Sequence, residues 1–140
     1  MKKMLHFFVI FIISSNTLHA ADFQWTKIVT TVDKATEFYI EKKSIKKVGK
    51  LHFYWLMANY LKHEKDDDPS VNSVITSNIL NCKTSEIKTV TYASFDSNRG
   101  KGSINTEIII PDEDINYFDW NYYSEETSLG MVIQEVCKIQ

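Results

Sequence analysis

The sequence predicts an α+β domain: a single antiparallel sheet of about six strands with a C-terminal helix packed on one face, tied by one disulfide. Three observations predict it. From Trp25 to Ile110 the chain is a succession of short segments rich in β-branched and aromatic residues, divided by polar breaks. Beyond Ser124 the apolar spacing changes from strand-like to helical. Two cysteines, Cys82 and Cys137, fall at a strand end and on the apolar stripe of that helix.

The first residues stand apart from the domain. Lys2 and Lys3 form a short positive region, Met4 to Ile13 is apolar apart from His6, and Leu18-His19-Ala20 ends on a small residue. This order is that of a cleavable secretory signal peptide over residues 1–20, with cleavage expected after Ala20 or, alternatively, after Ala21. The competing reading is an uncleaved membrane anchor. A span needs about 20 apolar residues and this run is about half as long. The mature domain is therefore expected to cover residues 21–140 and to reside in the periplasm or at the cell surface. No cysteine closely follows the apolar run, so no lipid-anchored form is expected.

Loss of Lys2 and Lys3 leaves 14 basic side chains against 18 acidic ones, a net charge of −4. A mildly acidic chain has no electrostatic hold on nucleic acid. Its length allows one core and is short for two. In an exported chain an even cysteine count reads as a disulfide, with two buried free thiols as the alternative.

Within the domain, Trp25–Val32 and Glu37–Glu41 read as strands around the polar break Asp33-Lys34-Ala35-Thr36. Lys42 to Lys50 reads as a basic connection, with Ile45 as its buried candidate and Gly49 as its turn residue. Leu51–Leu61 is the longest apolar run and predicts a central strand buried on both faces. His63–Pro69 is a charged loop. Val71–Cys82 alternates as a half-buried strand, Ile87–Phe95 follows, Asn98–Gly102 turns, and Ile104–Ile110 is a last strand ended by Pro111. Asp112–Tyr123 has no period. Ser124 is the expected helix cap, Thr127 the weaker one, ahead of a stripe of Leu129, Val132, Ile133, Val136 and Cys137.

In order along the chain stand Trp25, Tyr39-Ile40, Ser44-Ile45, Gly49, Trp55, Asn59-Tyr60, Ser73, Asn81-Cys82, Tyr92, Gly102, Trp120, Ser124 and Val136-Cys137. With its paired cysteines, this series resembles the surface-adhesin protein E family of small exported bacterial proteins, from about Phe23 to Cys137. The resemblance implies the same sheet-and-helix fold with a Cys82–Cys137 bridge. It implies a binding protein rather than an enzyme, with a host extracellular-matrix or cell-envelope protein as partner. The acidic loops around Asp66 and Asp112 and the missing lipid-anchoring cysteine set this chain apart from the adhesin that gives the family its name.

The residues themselves carry no catalytic signature. Neither a nucleophile elbow nor a zinc-protease pair is present, and His63-Glu64 lacks the second histidine. His52 and His63 read as solvated edge residues. The acidic runs Glu64, Asp66, Asp67, Asp68 and Asp112, Glu113, Asp114 lack the alternation and glycine of a calcium loop. No cofactor is called for. Lys42, Lys43, Lys46, Lys47 and Lys50 read as a solvated run without the bidentate fork of arginine. The expected binding surface comprises Tyr117, Tyr122 and Tyr123 with Asp66, Asp67 and Asp68. Trp120 is expected to close the core. Adhesin-like recognition of a protein is the first functional expectation. The alternative is a periplasmic inhibitor or immunity-type protein whose acidic loop blocks a toxin or hydrolase.

Overall fold

A computed structural model describes residues 23–109 and 119–139. Strands β1 (Trp25–Thr30), β2 (Thr36–Glu41), β4 (Leu51–Tyr60), β5 (Ser73–Asn81), β6 (Glu86–Phe95) and β7 (Ile104–Ile109) lie side by side in that order. Every pairing is antiparallel. Two short strands bring the described sheet to eight. β3 (Lys46–Val48) pairs with β4, and β8 (Asn121–Tyr122) pairs with the start of β6. The sequence shows about six strands because β3 is fully exposed and lysine-rich, so no burial period marks it. It forms because Gly49, at φ 60°, closes a tight turn onto Leu51–Phe53. The helix α1 spans Ser128–Cys137. Among the described residues no helix is long and apolar enough to cross a membrane.

Successive side chains on a strand point to opposite faces, and here both faces are buried at the centre. Ile40, Tyr54, Leu56, Leu80 and Ile87 pack with Val132, Ile133 and Val136 of α1. Their neighbours Tyr39, Met57, Ile75, Ala93 and Phe95 form a second cluster on the far face, bordered by Trp25 and Trp55. The central strand β4 thus supplies both cores through Leu56 and Met57. Tyr54 is 2% exposed and its hydroxyl has no hydrogen-bond partner among the described residues; burial holds its pKa far above the ordinary tyrosine value.

Beyond that second cluster, polar groups close the far face. Asn59 is buried; its Oδ1 accepts from Asn98 Nδ2 at 3.0 Å and from the Arg99 amide at 2.8 Å, and its Nδ2 donates to Glu37 at 3.1 Å. Ser73 donates to the Ser97 carbonyl at 2.6 Å and accepts from the Gly100 amide at 2.8 Å. The 97–100 turn is thereby fastened to β4 and β5, with each buried polar atom in the contact satisfied.

The Cys82–Cys137 bridge joins the end of β5 to the end of α1, with 5.8 Å between the Cα atoms. Beside it lies His52, which is buried rather than a solvated edge residue. Its Nε2–H donates to the Ile139 carbonyl at 3.1 Å, and its Nδ1 is 3.2 Å from Cys82 Sγ. The helix end has closed over it. At the other end the cap is Thr127, not Ser124: Thr127 Oγ1 accepts from the Gly130 amide at 3.0 Å. The reason is Gly130. A Cβ there would sit 1.9 Å from the Ser124 carbonyl oxygen, so the 124–125 backbone crosses the helix instead of beginning it.

Three outcomes follow. Replacing Cys82 and Cys137 by serine removes the closure of a 55-residue loop. Thermal unfolding should then move down by about 12 °C, from about 4 kcal/mol of loop entropy. Gly130→Ala should lower the denaturant-derived stability by about 2 kcal/mol, because the crossing backbone must shift. Glu37 accepts from Tyr39 Oη at 2.6 Å, from Asn59 and from Lys27 at 3.3 Å; the Tyr39 bond foremost holds its carboxyl below the ordinary 4.5. A carboxylate lowered in the folded state stabilises above its unfolded value, and that contribution is lost as pH falls through the range below it. Glu37→Gln should flatten this acid-side decline in denaturation midpoints.

Candidate binding site

The residues expected to form one binding surface lie at two ends of the sheet. Tyr122 pairs with Glu86 at the start of β6. The acidic loop returns at the other end, where the Asn72 amide donates to the Phe95 carbonyl at 2.8 Å. Ten residues of strand separate these points, about 30 Å. At the first end Tyr122 is 66% exposed, while Tyr123 packs against the helix-side core. Trp120 does not close the core. It stays 40% exposed, with the buried Lys88 Nζ 5.7 Å from its ring centroid. Tyr117, Asp112, Glu113 and Asp114 lie outside the described residues.

At the second end the loop builds a cleft. Its base is tied down: the Tyr60 amide donates to the Asn72 carbonyl at 3.0 Å, and Asn72 Nδ2 donates to the Asp96 carbonyl at 2.7 Å. His63 Nε2 donates to Asn72 Oδ1 at 3.1 Å. Within the loop, Asp67 Oδ2 accepts from the Glu64 amide at 2.7 Å, and Asp68 Oδ1 accepts from the amide and hydroxyl of Ser70 at 2.9 and 2.7 Å. The result is a half-open cleft of about 250 Å³ lined by Tyr60, His63, Asp67, Asp68, Val71 and Tyr92. Asp66 is exposed outside this lining.

The cleft has negative character. The Ser70 hydrogen bonds, with a smaller contribution from His63, hold the Asp68 carboxyl below its ordinary value. Burial, then Tyr92 and Asp67, push the Tyr60 phenol above its ordinary value. Tyr60 and Tyr92 escaped the sequence reading of the site because both sit inside strands, where an aromatic reads as core. No three His, Cys, Asp or Glu side chains converge on a metal position among the described residues.

Next to the cleft runs β7, an edge strand. Ile104, Ile108 and Ile109 are 46%, 45% and 67% exposed. Among the described residues no strand pairs with its outer side. Ile108 stands directly opposite Tyr92, so the edge and the cleft are one continuous surface. Asn105 Nδ2 donates to the Ser70 carbonyl at 2.9 Å and fastens the loop to this edge.

The profile of the surface-adhesin protein E family matches residues 25–138. The chain belongs to the surface-adhesin protein E family. Solved structures of Haemophilus influenzae protein E share the fold. One crystal form has a TM-score of 0.55 at 18% identity, covering 81% of this chain and 87% of that one. A second structure of that protein gives 0.53 at 19% identity, covering 81% of this chain and 83% of that one. No curated protein sequence is similar enough to match. The antiparallel sheet, the helix set against it and the Cys82–Cys137 bridge expected from the resemblance agree with the fold described above.

Proposed function

We propose that this protein is an exported, non-enzymatic binding protein that recognises another protein, adhesin-like, through the β7 edge and the adjoining loop. Family membership supports the class of function. The observation that carries the surface is β7 itself. Proteins normally blunt an edge strand with lysine, proline or a bulge; β7 has an irregularity at its start, where Asn105 is the extra residue opposite Ser94–Phe95, yet it presents three exposed isoleucines and a single charge, Glu107. An open edge of that kind takes up a partner strand through main-chain hydrogen bonds, with side-chain pockets nearby supplying selectivity. The partner is a host extracellular-matrix protein or a cell-envelope protein. On this reading residues 1–20 direct export and the disulfide-bonded domain 21–140 acts in the periplasm or on the surface.

The exposed acidic loop from Lys62 to Ser70 supports a second reading, an inhibitor or immunity-type protein acting in the periplasm. Location separates the two. Protease treatment of intact cells should remove the mature protein if it is displayed; survival until the outer membrane is opened would turn the search to periplasmic partners and against host contact. Purified Ile108→Lys protein should keep its melting temperature yet bind a panel of extracellular-matrix proteins about tenfold more weakly than wild type. Unchanged binding would remove the β7 edge from the interface.

A further inference from the structure

We propose that the cleft between Tyr60, Tyr92, Asp67 and Asp68 is a receptor for one basic side chain, a lysine or arginine, of a protein partner. The proposal rests on the reading of this chain as a protein-binding module and names the chemistry that its surface selects.

Size restricts the occupant. Pockets for drug-sized ligands hold about 300–1,000 Å³; this cleft holds about 250 Å³ and is open on one side. It suits the head of one long side chain. Charge restricts it further. One oxygen of each aspartate is committed to the loop, Asp67 Oδ2 to Glu64 and Asp68 Oδ1 to Ser70. The other oxygens, Asp67 Oδ1 and Asp68 Oδ2, accept no hydrogen bond among the described residues. No described lysine or arginine pairs with either carboxylate, although Lys62 and Lys65 belong to the same loop. The two tyrosines add surface that attracts cations through the ring quadrupole. Burial, then Tyr92 and Asp67, make a phenolate costly at Tyr60; of these the Asp67 carboxylate favours a positive charge brought in from outside, while burial opposes a charge of either sign.

Position supplies the third argument. Tyr92 and Ile108 are cross-strand neighbours on one face. A segment laid along the outer side of β7 runs about 10 Å from the Tyr92 strand, two strand spacings. That distance lies within the combined reach of a tyrosine and a lysine or arginine.

The test is an amide-shift NMR titration of the protein purified after export, with N-acetyl-arginine amide, N-acetyl-lysine amide and, as the neutral isostere of arginine, N-acetyl-citrulline amide. The cationic probes should produce saturable shifts at Tyr60, His63, Asp67, Asp68 and Tyr92, and citrulline should bind at least about fivefold more weakly. The double variant Asp67→Asn/Asp68→Asn keeps the oxygens that accept from Glu64 and Ser70, so the loop fold is retained. It should weaken the cationic probes about fivefold. Tyr92→Leu should weaken them about threefold. Absence of saturable shifts at the cleft, equal binding of citrulline, or undiminished binding by the double aspartate variant would each overturn the proposal. These probes need no matrix protein. Cleft binding without matrix binding would overturn the adhesin reading and leave the cation site standing; matrix binding with a silent cleft would do the reverse.

Discussion

A helix of ten residues does not hold itself together in water, and in this protein the Cys82–Cys137 bridge makes that helix a fixed part of the domain. It is the single helix set against the sheet among the described residues, and its Val132, Ile133 and Val136 complete the core over Ile40, Leu56 and Leu80. Its C-terminal end also covers His52, whose ring is held between a sulfur and the Ile139 carbonyl. Cap, stripe and bridge act on one short element at three points. Thr127 Oγ1 satisfies one of its first-turn amides, that of Gly130, the apolar stripe packs it, and the disulfide denies it distance from β5 even when the rest of the chain is disordered.

The far face solves its burial without a helix. Met57 and Ile75 are fully buried there, and the edges of their cluster are closed by aromatics on one side and by the 97–100 turn on the other. Phe23 meets Trp25 and Trp55 at 5.3 and 5.4 Å between ring centroids. Opposite them, Asn59 and Ser73 hold the turn by hydrogen bonds rather than by area. An amide buried in this way is costly when its partners are absent and specific when they are present. The turn held by Asn59 and Ser73 therefore has one arrangement, and the loop that forms the cleft begins just beyond the same strand, after Tyr60.

Much of the domain could be read in one dimension. The strand β4 is a long aromatic and apolar run, β5 alternates and β6 is rich in β-branched residues, and these runs bounded them to within about two residues. The helix was visible through its stripe, and the bridge through an even cysteine count with one cysteine at a strand end and the other on that stripe. What stayed hidden depends on register. β3 and β8 are stabilised by the strands beside them and carry no pattern of their own. The cap moved from Ser124 to Thr127 because Gly130 admits a backbone crossing that spacing does not reveal. His52 became core because an element 87 residues away ends above it. For the site, charge alone marked Asp67 and Asp68. Tyr60 and Tyr92 belong to different strands, and only folding brings them into one cleft with those carboxylates. The same register separates Tyr122 from the acidic loop, dividing what looked like one surface into two.

The strand order has a consequence for how the molecule is made. Apart from the short β3 and β8, each strand pairs with the neighbour before it on the path β1-β2-β4-β5-β6-β7, so most of the sheet is built from hairpin pairings local in the chain. The two sulfurs lie outside this local sequence of events. Between them lie β6, β7, β8 and the helix, and the sulfurs meet only when those elements have settled. Oxidation is therefore the closing step of assembly. A chain that has not completed its sheet keeps two separated thiols open to oxidoreductases, and a finished one does not, so the redox state of one cysteine pair records whether the whole domain has been built.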